Sequence, residues 1–102
     1  MTDSCLKQLA QDFDVELFKC FSDPSRLGVL IRLLELGNDK TVGEIAACCP
    51  QSLSVVSRHL KQLKNGGVLS AIKEGKEVRY AFENKRLADQ LRTLADLIEG
   101  CC

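Results

Sequence analysis

The chain has no net charge: fourteen Lys and Arg residues are matched by fourteen Asp and Glu across 102 residues. Overall charge therefore excludes no class of partner, and only its distribution along the chain is informative. No apolar run approaches the roughly 20 residues of a membrane span, and no charged-then-apolar leader opens the sequence, so a cytoplasmic protein with no membrane partner is expected. Internal repeats and low-complexity segments are missing as well. There is no Cys-x-x-Cys, no phosphate-cradling glycine loop and only one histidine, His59. A small thiol oxidoreductase, or an enzyme of another kind, is not expected on that inventory. The length suits a single domain with a modest core.

What is present begins with an asymmetry. Residues 51–80 carry six cations against two carboxylates, a net of +4, whereas residues 1–50 carry five against eight and residues 81–102 three against four. The positive segment opens with Gln51-Ser52-Leu53-Ser54-Val55-Val56-Ser57-Arg58-His59-Leu60-Lys61-Gln62-Leu63-Lys64-Asn65-Gly66-Gly67. Leu53, Val56, Leu60 and Leu63 recur at helical spacing, so one stripe is expected to face a core. Ser52 is the N-cap candidate, and Asn65-Gly66-Gly67 provides the stop. The remaining face offers hydroxyls and cations and no acid, which suits a DNA major groove. Upstream, Thr41 to Cys48 reads as a shorter helix with Thr41 and Glu44 as a capping box, and Cys49-Pro50-Gln51 as the turn. Residues 41–67 thus read as a helix-turn-helix.

The flanking segments complete the architecture. Residues 2–10 read as a first helix, Val15 to Phe21 as a second, and Pro24 to Leu36 as a third. The third starts at Asp23-Pro24, ends at Gly37-Asn38, and is expected to bury Leu27, Leu30, Ile31 and Leu34. After Gly67 the period changes to alternation. Val68 to Lys73 and Glu77 to Phe82 read as a hairpin, a wing over residues 68–82. The last helix, Lys85 to Glu99, shows Leu87, Leu91, Leu94 and Ile98 on one stripe, more apolar surface than a small core needs. The surplus is read as a dimer interface. The expected fold is mostly α with a β-hairpin wing: one winged helix-turn-helix domain over residues 1–102, homodimeric through segments 1–11 and 85–102. Its partner is double-stranded operator DNA. The candidate DNA contacts are Gln51, Ser52, Ser54, Ser57, Arg58, His59 and Lys61 on the helix, with Lys73, Lys76 and Arg79 on the wing.

Several stretches share a family look: Leu17 to Leu27, then Ser57-Arg58-His59-Leu60-Lys61-Gln62-Leu63, Gly66-Gly67-Val68-Leu69 and Gly75-Lys76-Glu77-Val78-Arg79-Tyr80. Over about residues 13–85 the chain resembles the ArsR/SmtB family of dimeric winged-helix repressors that metal or metalloid ions release from DNA. The resemblance implies a dimer built on the first and last helices, bound to a palindromic operator until an inducer arrives. One departure stands out. Where arsenite sensors of this family often carry Cys-Val-Cys-Asp, this chain has Thr41-Val42-Gly43-Glu44, so an inducer site must lie elsewhere.

Six cysteines in a cytoplasmic chain point to metal binding or redox chemistry rather than to a disulfide framework. Neighbouring thiols within a helix diverge by about 100°, so an adjacent pair converges on one ion only where the helix has ended. Cys101-Cys102, after Gly100, is the first candidate. Cys48-Cys49, before Pro50, and Cys5, on the expected dimer helix, are secondary. Cys20 reads as a buried small hydrophobe. Thiolates select soft ions, and with one histidine available a trivalent arsenical inducer (arsenite or methylarsenite), with antimonite as the further candidate, is expected rather than zinc. The alternative is a winged-helix regulator that senses oxidants through disulfides between distant cysteines.

Overall fold

In the computed structural model the described residues are 14–82 and 84–100. The expected helix over residues 2–10, with Cys5, and the tail cysteines Cys101 and Cys102 lie outside them. The elements in order are α1 (Val15–Lys19), α2 (Pro24–Leu36), β1 (Lys40–Thr41), α3 (Val42–Ala46), α4 (Leu53–Asn65), β2 (Ser70–Glu74), β3 (Glu77–Ala81) and α5 (Lys85–Ile98). They fall into two compact units, Glu16–Glu83 and Met1–Val15 with Asn84–Cys102. Among the described residues no helix is long and apolar enough to cross a membrane.

The first unit is a winged helix-turn-helix. Asp23 accepts a hydrogen bond from Arg26 N at 2.9 Å with Pro24 in the first turn, so α2 starts where a side chain can satisfy an otherwise unpaired N–H. Val29, Leu30 and Leu33 are the buried face of α2, which packs on α3 and α4. This corrects the sequence reading: Leu27 is only half-buried, and Ile31 and Leu34 are exposed. Both sets recur at helical spacing, and periodicity alone cannot choose between two apolar faces of one helix. The neighbours make the choice. Helix α3 carries the full capping box, Glu44 N to Thr41 Oγ1 at 3.2 Å and Thr41 N to Glu44 Oε1 at 3.0 Å, and buries Ile45 against α4.

Helix α4 is capped by Ser52, whose hydroxyl accepts from Val55 N at 3.3 Å, and it buries Val56, His59, Leu60 and Leu63. Leu53 departs from the expected stripe and is 58% exposed. The wing is β2 paired antiparallel with β3, in the register Ser70 to Ala81 through Glu74 to Glu77. Gly75, at φ +62°, sits first in the two-residue turn, a conformation that favours glycine. Val68 and Leu69 precede the strand and are buried. A third strand, β1, pairs with β3 through Lys40–Tyr80 and Thr41–Arg79. Two residues are too few to show alternation, so it left no mark in the sequence pattern.

In the second unit, Asn84 caps α5 by accepting from Leu87 N at 2.9 Å. Lys85 and Arg92 both reach Asp89, at 2.8 and 3.0 Å. Leu87 is buried, whereas Leu91, Leu94 and Ile98 are exposed along one stripe.

At the end of α4 the chain passes close to α1. Gly66 has an ordinary helical backbone, φ −77°, yet a Cβ there would overlap Cys20 Sγ, which is buried. Glycine is needed here for space, not for conformation. Gly66→Ala is therefore expected to cost about 1–3 kcal/mol in urea denaturation, the range for overpacking, and less than half of that in a Cys20→Ala background.

Candidate nucleic-acid interface

The exposed face of α4 follows from the spacing of its polar residues. Ser54, Arg58, Lys61 and Asn65 fall three or four residues apart and are exposed, with Ser57 half-buried beside them. Together with Leu53 and Gln62 they line a shallow groove along the outer side of the helix. A second groove runs between α3, the start of α4 and the wing, lined by Val42, Leu53, Ser57, Lys76 and Val78 among others. A third, between α4 and the sheet, is lined by Lys61, Lys64 and Lys73 together with Tyr80. Arg58, Lys61, Lys64, Lys73 and Lys76 make no ion pair with any described residue. Lys64 is an addition to the sequence-derived set.

The inner side of α4 is fixed by directed polar contacts. His59 is 6% exposed. Its Nδ1 lies 3.2 Å from Gln62 Oε1 and its Nε2 2.9 Å from Ser25 Oγ. Arg26 Nη1 also donates to Gln62 Oε1, at 3.4 Å, so that oxygen is the acceptor and His59 Nδ1 the donor. His59 Nε2 faces the Ser25 hydroxyl, with Asp23 Oδ2 3.9 Å away. Gln51 Nε2 donates to both Ser25 O (3.1 Å) and Ser25 Oγ (3.2 Å). Arg26 further ties the end of α1, donating to Cys20 O at 2.8 Å and Lys19 O at 3.1 Å. Ser25, Arg26 and Gln62 thus position the helix, which no spacing rule had indicated.

This network changes the standing of three residues expected to face DNA. The side chains of His59 and Gln51 turn inward onto the first turn of α2. Arg79 is held at the base of the wing, donating to Asp39 O at 3.1 Å and lying 3.5–3.7 Å from the carboxylates of Glu44, Glu74 and Glu77. Those acids neutralise it locally, so the wing keeps Lys73 and Lys76 as its outward cations. Glu44 has its carboxyl held below the ordinary range, chiefly by the backbone and side-chain bonds from Thr41.

Two of the candidate metalloid ligands are described. Cys48 is exposed and Cys49 half-buried, where the last turn of α3 closes through Cys48 N to Ile45 O and Cys49 N to Ala46 O. Burial pushes the Cys49 thiol up from its ordinary value, against the pull of Arg32, so thiolate is scarce there at neutral pH. Among the described residues no three His, Cys, Asp or Glu side chains gather as a metal site. The pair supplies two sulfurs at most.

Comparison with known proteins adds to this geometry. The profile of the bacterial regulatory protein family arsR matches residues 23–71. The arsenical resistance operon repressor of Escherichia coli K12 is 39% identical over 66 residues, covering 65% of this chain and 56% of that protein. A CadC homologue of Staphylococcus aureus, a cadmium resistance transcriptional regulatory protein, is 32% identical over 72 residues, covering 71% and 59%. The HTH-type transcriptional regulator MJ1325 of Methanocaldococcus jannaschii is 33% identical over 85 residues, covering 80% and 91%. Among solved structures, the homodimeric winged helix-turn-helix domain of Mb0332 from Mycobacterium bovis superposes with a TM-score of 0.63 at 25% identity, covering 98% and 88%. The chain spans 56–66% of the length of the first curated relatives it matches.

The polar lock behind α4 has a measurable signature. His59→Ala is expected to cost about 1–3 kcal/mol of folding stability in urea denaturation, because it removes a buried ring and deprives the half-buried Ser25 hydroxyl of that partner. Ser54→Ala, on the exposed face, should stay within about 0.5 kcal/mol of the parent.

Proposed function

The chain belongs to the ArsR family of bacterial regulatory proteins, a family of transcriptional regulators and not of enzymes, and from that premise we propose that it is a homodimeric operator-binding repressor released by a trivalent arsenical. The observation that carries the DNA half is the outer face of α4. Ser54, Arg58 and Lys61 stand exposed on a helix without a single acid, and the same helix is gripped from behind by Ser25 and Arg26 of α2 through His59 and Gln62. A rigidly held helix with cations outward fits a major groove, and Ser52, Ser57, Lys73 and Lys76 extend the contact to the flanking phosphates. Cytoplasmic action follows from the DNA target. The dimer rests on the exposed stripe of Leu91, Leu94 and Ile98, with a homodimeric structural neighbour as support.

For release, Cys101 and Cys102 are the proposed ligands, with Cys48, Cys49 and Cys5 as secondary ones. Thiolates favour soft ions, and relatives are named for arsenical and cadmium resistance. Zinc would call on imidazole, and the one histidine is committed to holding α4. A ligand that moves the repressor from about 1% to 99% released must bind the released form more tightly by roughly 5.5 kcal/mol. Coordination at two equivalent dithiol sites reaches that scale.

The test is fluorescence anisotropy on a duplex recovered by in vitro selection, titrated with arsenite, methylarsenite, antimonite, cadmium and zinc. The parent and Cys48→Ser/Cys49→Ser should release DNA with the arsenicals, while Cys101→Ser/Cys102→Ser stays bound. Normal release by the tail double mutant overturns the site. Release by peroxide, reversed by dithiothreitol in metal-free buffer, would instead favour oxidant sensing. Arg58→Ala should weaken DNA binding at least tenfold with its thermal unfolding unchanged.

A further inference from the structure

The one large apolar side chain that α4 leaves in water is Leu53. Val56, Leu60 and Leu63 are fully buried, whereas Leu53 is 58% exposed. It is the first residue of the helix, directly after the Ser52 cap, and it forms the shared rim of two grooves. On one side it adjoins Ser54, Ser57 and Arg58. On the other it adjoins Lys76 on the wing. At about 100° per residue Leu53 lies within roughly 40° of Ser57 on the helical wheel, on the border between the core stripe and the outward face. The core does not account for it, because more than half of its surface is open.

We propose that Leu53 reads sequence, by packing on the C5-methyl group of a thymine in the major groove. The inference rests on the DNA reading above and deepens it. The surrounding Arg58, Lys61 and Lys76 are complementary to phosphate, which selects a duplex over another apolar protein surface. Residues at the N-terminal end of a recognition helix are those that meet base edges. Of the four bases, only thymine presents an apolar group in that groove. Leu53 is then a specificity-determining residue, next to hydroxyl and guanidinium groups that take the polar edges.

The experiment uses the full chain and a duplex recovered by in vitro selection, in which each thymine is replaced singly by deoxyuridine. Uracil pairs as thymine does and lacks only the methyl. For the parent, one thymine per half-site should lose about fourfold in affinity on replacement, the worth of one methyl-sized contact. Leu53→Ala, which removes the contact from both half-sites, should bind the thymine duplex about sixteenfold more weakly than the parent, and the replacement at that same position should then have no effect. Its penalties at other thymines should match those of the parent, which makes each protein its own control for folding. A selected duplex in which no uracil penalty disappears with Leu53→Ala overturns the Leu53 assignment and leaves the DNA reading standing. Failure of the parent to select any duplex overturns both.

Discussion

A helix that reads another molecule can be held only from behind. Everything that fixes α4 must act on less than half of its circumference, because the other side has to stay open. Apolar packing of Val56, Leu60 and Leu63 supplies much of the hold, but it is non-directional and constrains rotation about the helix axis weakly. The contacts of His59 are directional. His59 on α4 meets Ser25 on α2, and Gln62 on α4 accepts from Arg26 on α2, so a rotation of α4 would break both contacts together. Gln51 and Arg26 extend the same lock to the turn before α4 and to the end of α1. The chain therefore spends its one histidine on orientation, which sets where Arg58 and Leu53 point.

The wing follows a related logic with charge. Arg79 lies among Glu44, Glu74 and Glu77 and also reaches Asp39 O, tying the hairpin to the start of α3. Glu44 takes part in both the capping box and this cluster, so one carboxylate links the helix-turn-helix to the sheet. These pairs are largely solvent-exposed and each contributes little stability. Their effect is placement: they anchor the base of the hairpin and leave Lys73 and Lys76 directed outward.

Much of this was legible from residue patterns. Among the described residues, caps at Asp23, Thr41 and Ser52, stops at Gly37 and Gly66-Gly67, and the change from helical to alternating period at Val68 located α2, α3, α4 and the hairpin, and left β1 unmarked. What the sequence hid has a common physical cause. Helical spacing reports that a residue belongs to a face, not which face the neighbours cover, so Ile31, Leu34 and Leu53 were assigned to the core and proved exposed. Residue type reports what a side chain is able to do, not whom it meets. His59, Gln51 and Arg79 have the chemistry of DNA contacts, yet partners at Ser25, Gln62 and Glu44, 26 to 35 residues away or within one turn, claim them first. Long-range pairing of that kind leaves no local trace.

The absence of acids from α4 carries a consequence of its own. Arg58, Lys61 and Lys64 succeed one another at intervals of three residues, so like charges face each other along the helix with no carboxylate between them. In the free protein that repulsion loosens the helix, and dissolved ions relieve it. In a complex with DNA, phosphates take over that task and dissolved ions compete with them. Rising ionic strength therefore steadies this helix when it is alone and loosens its grip on a duplex.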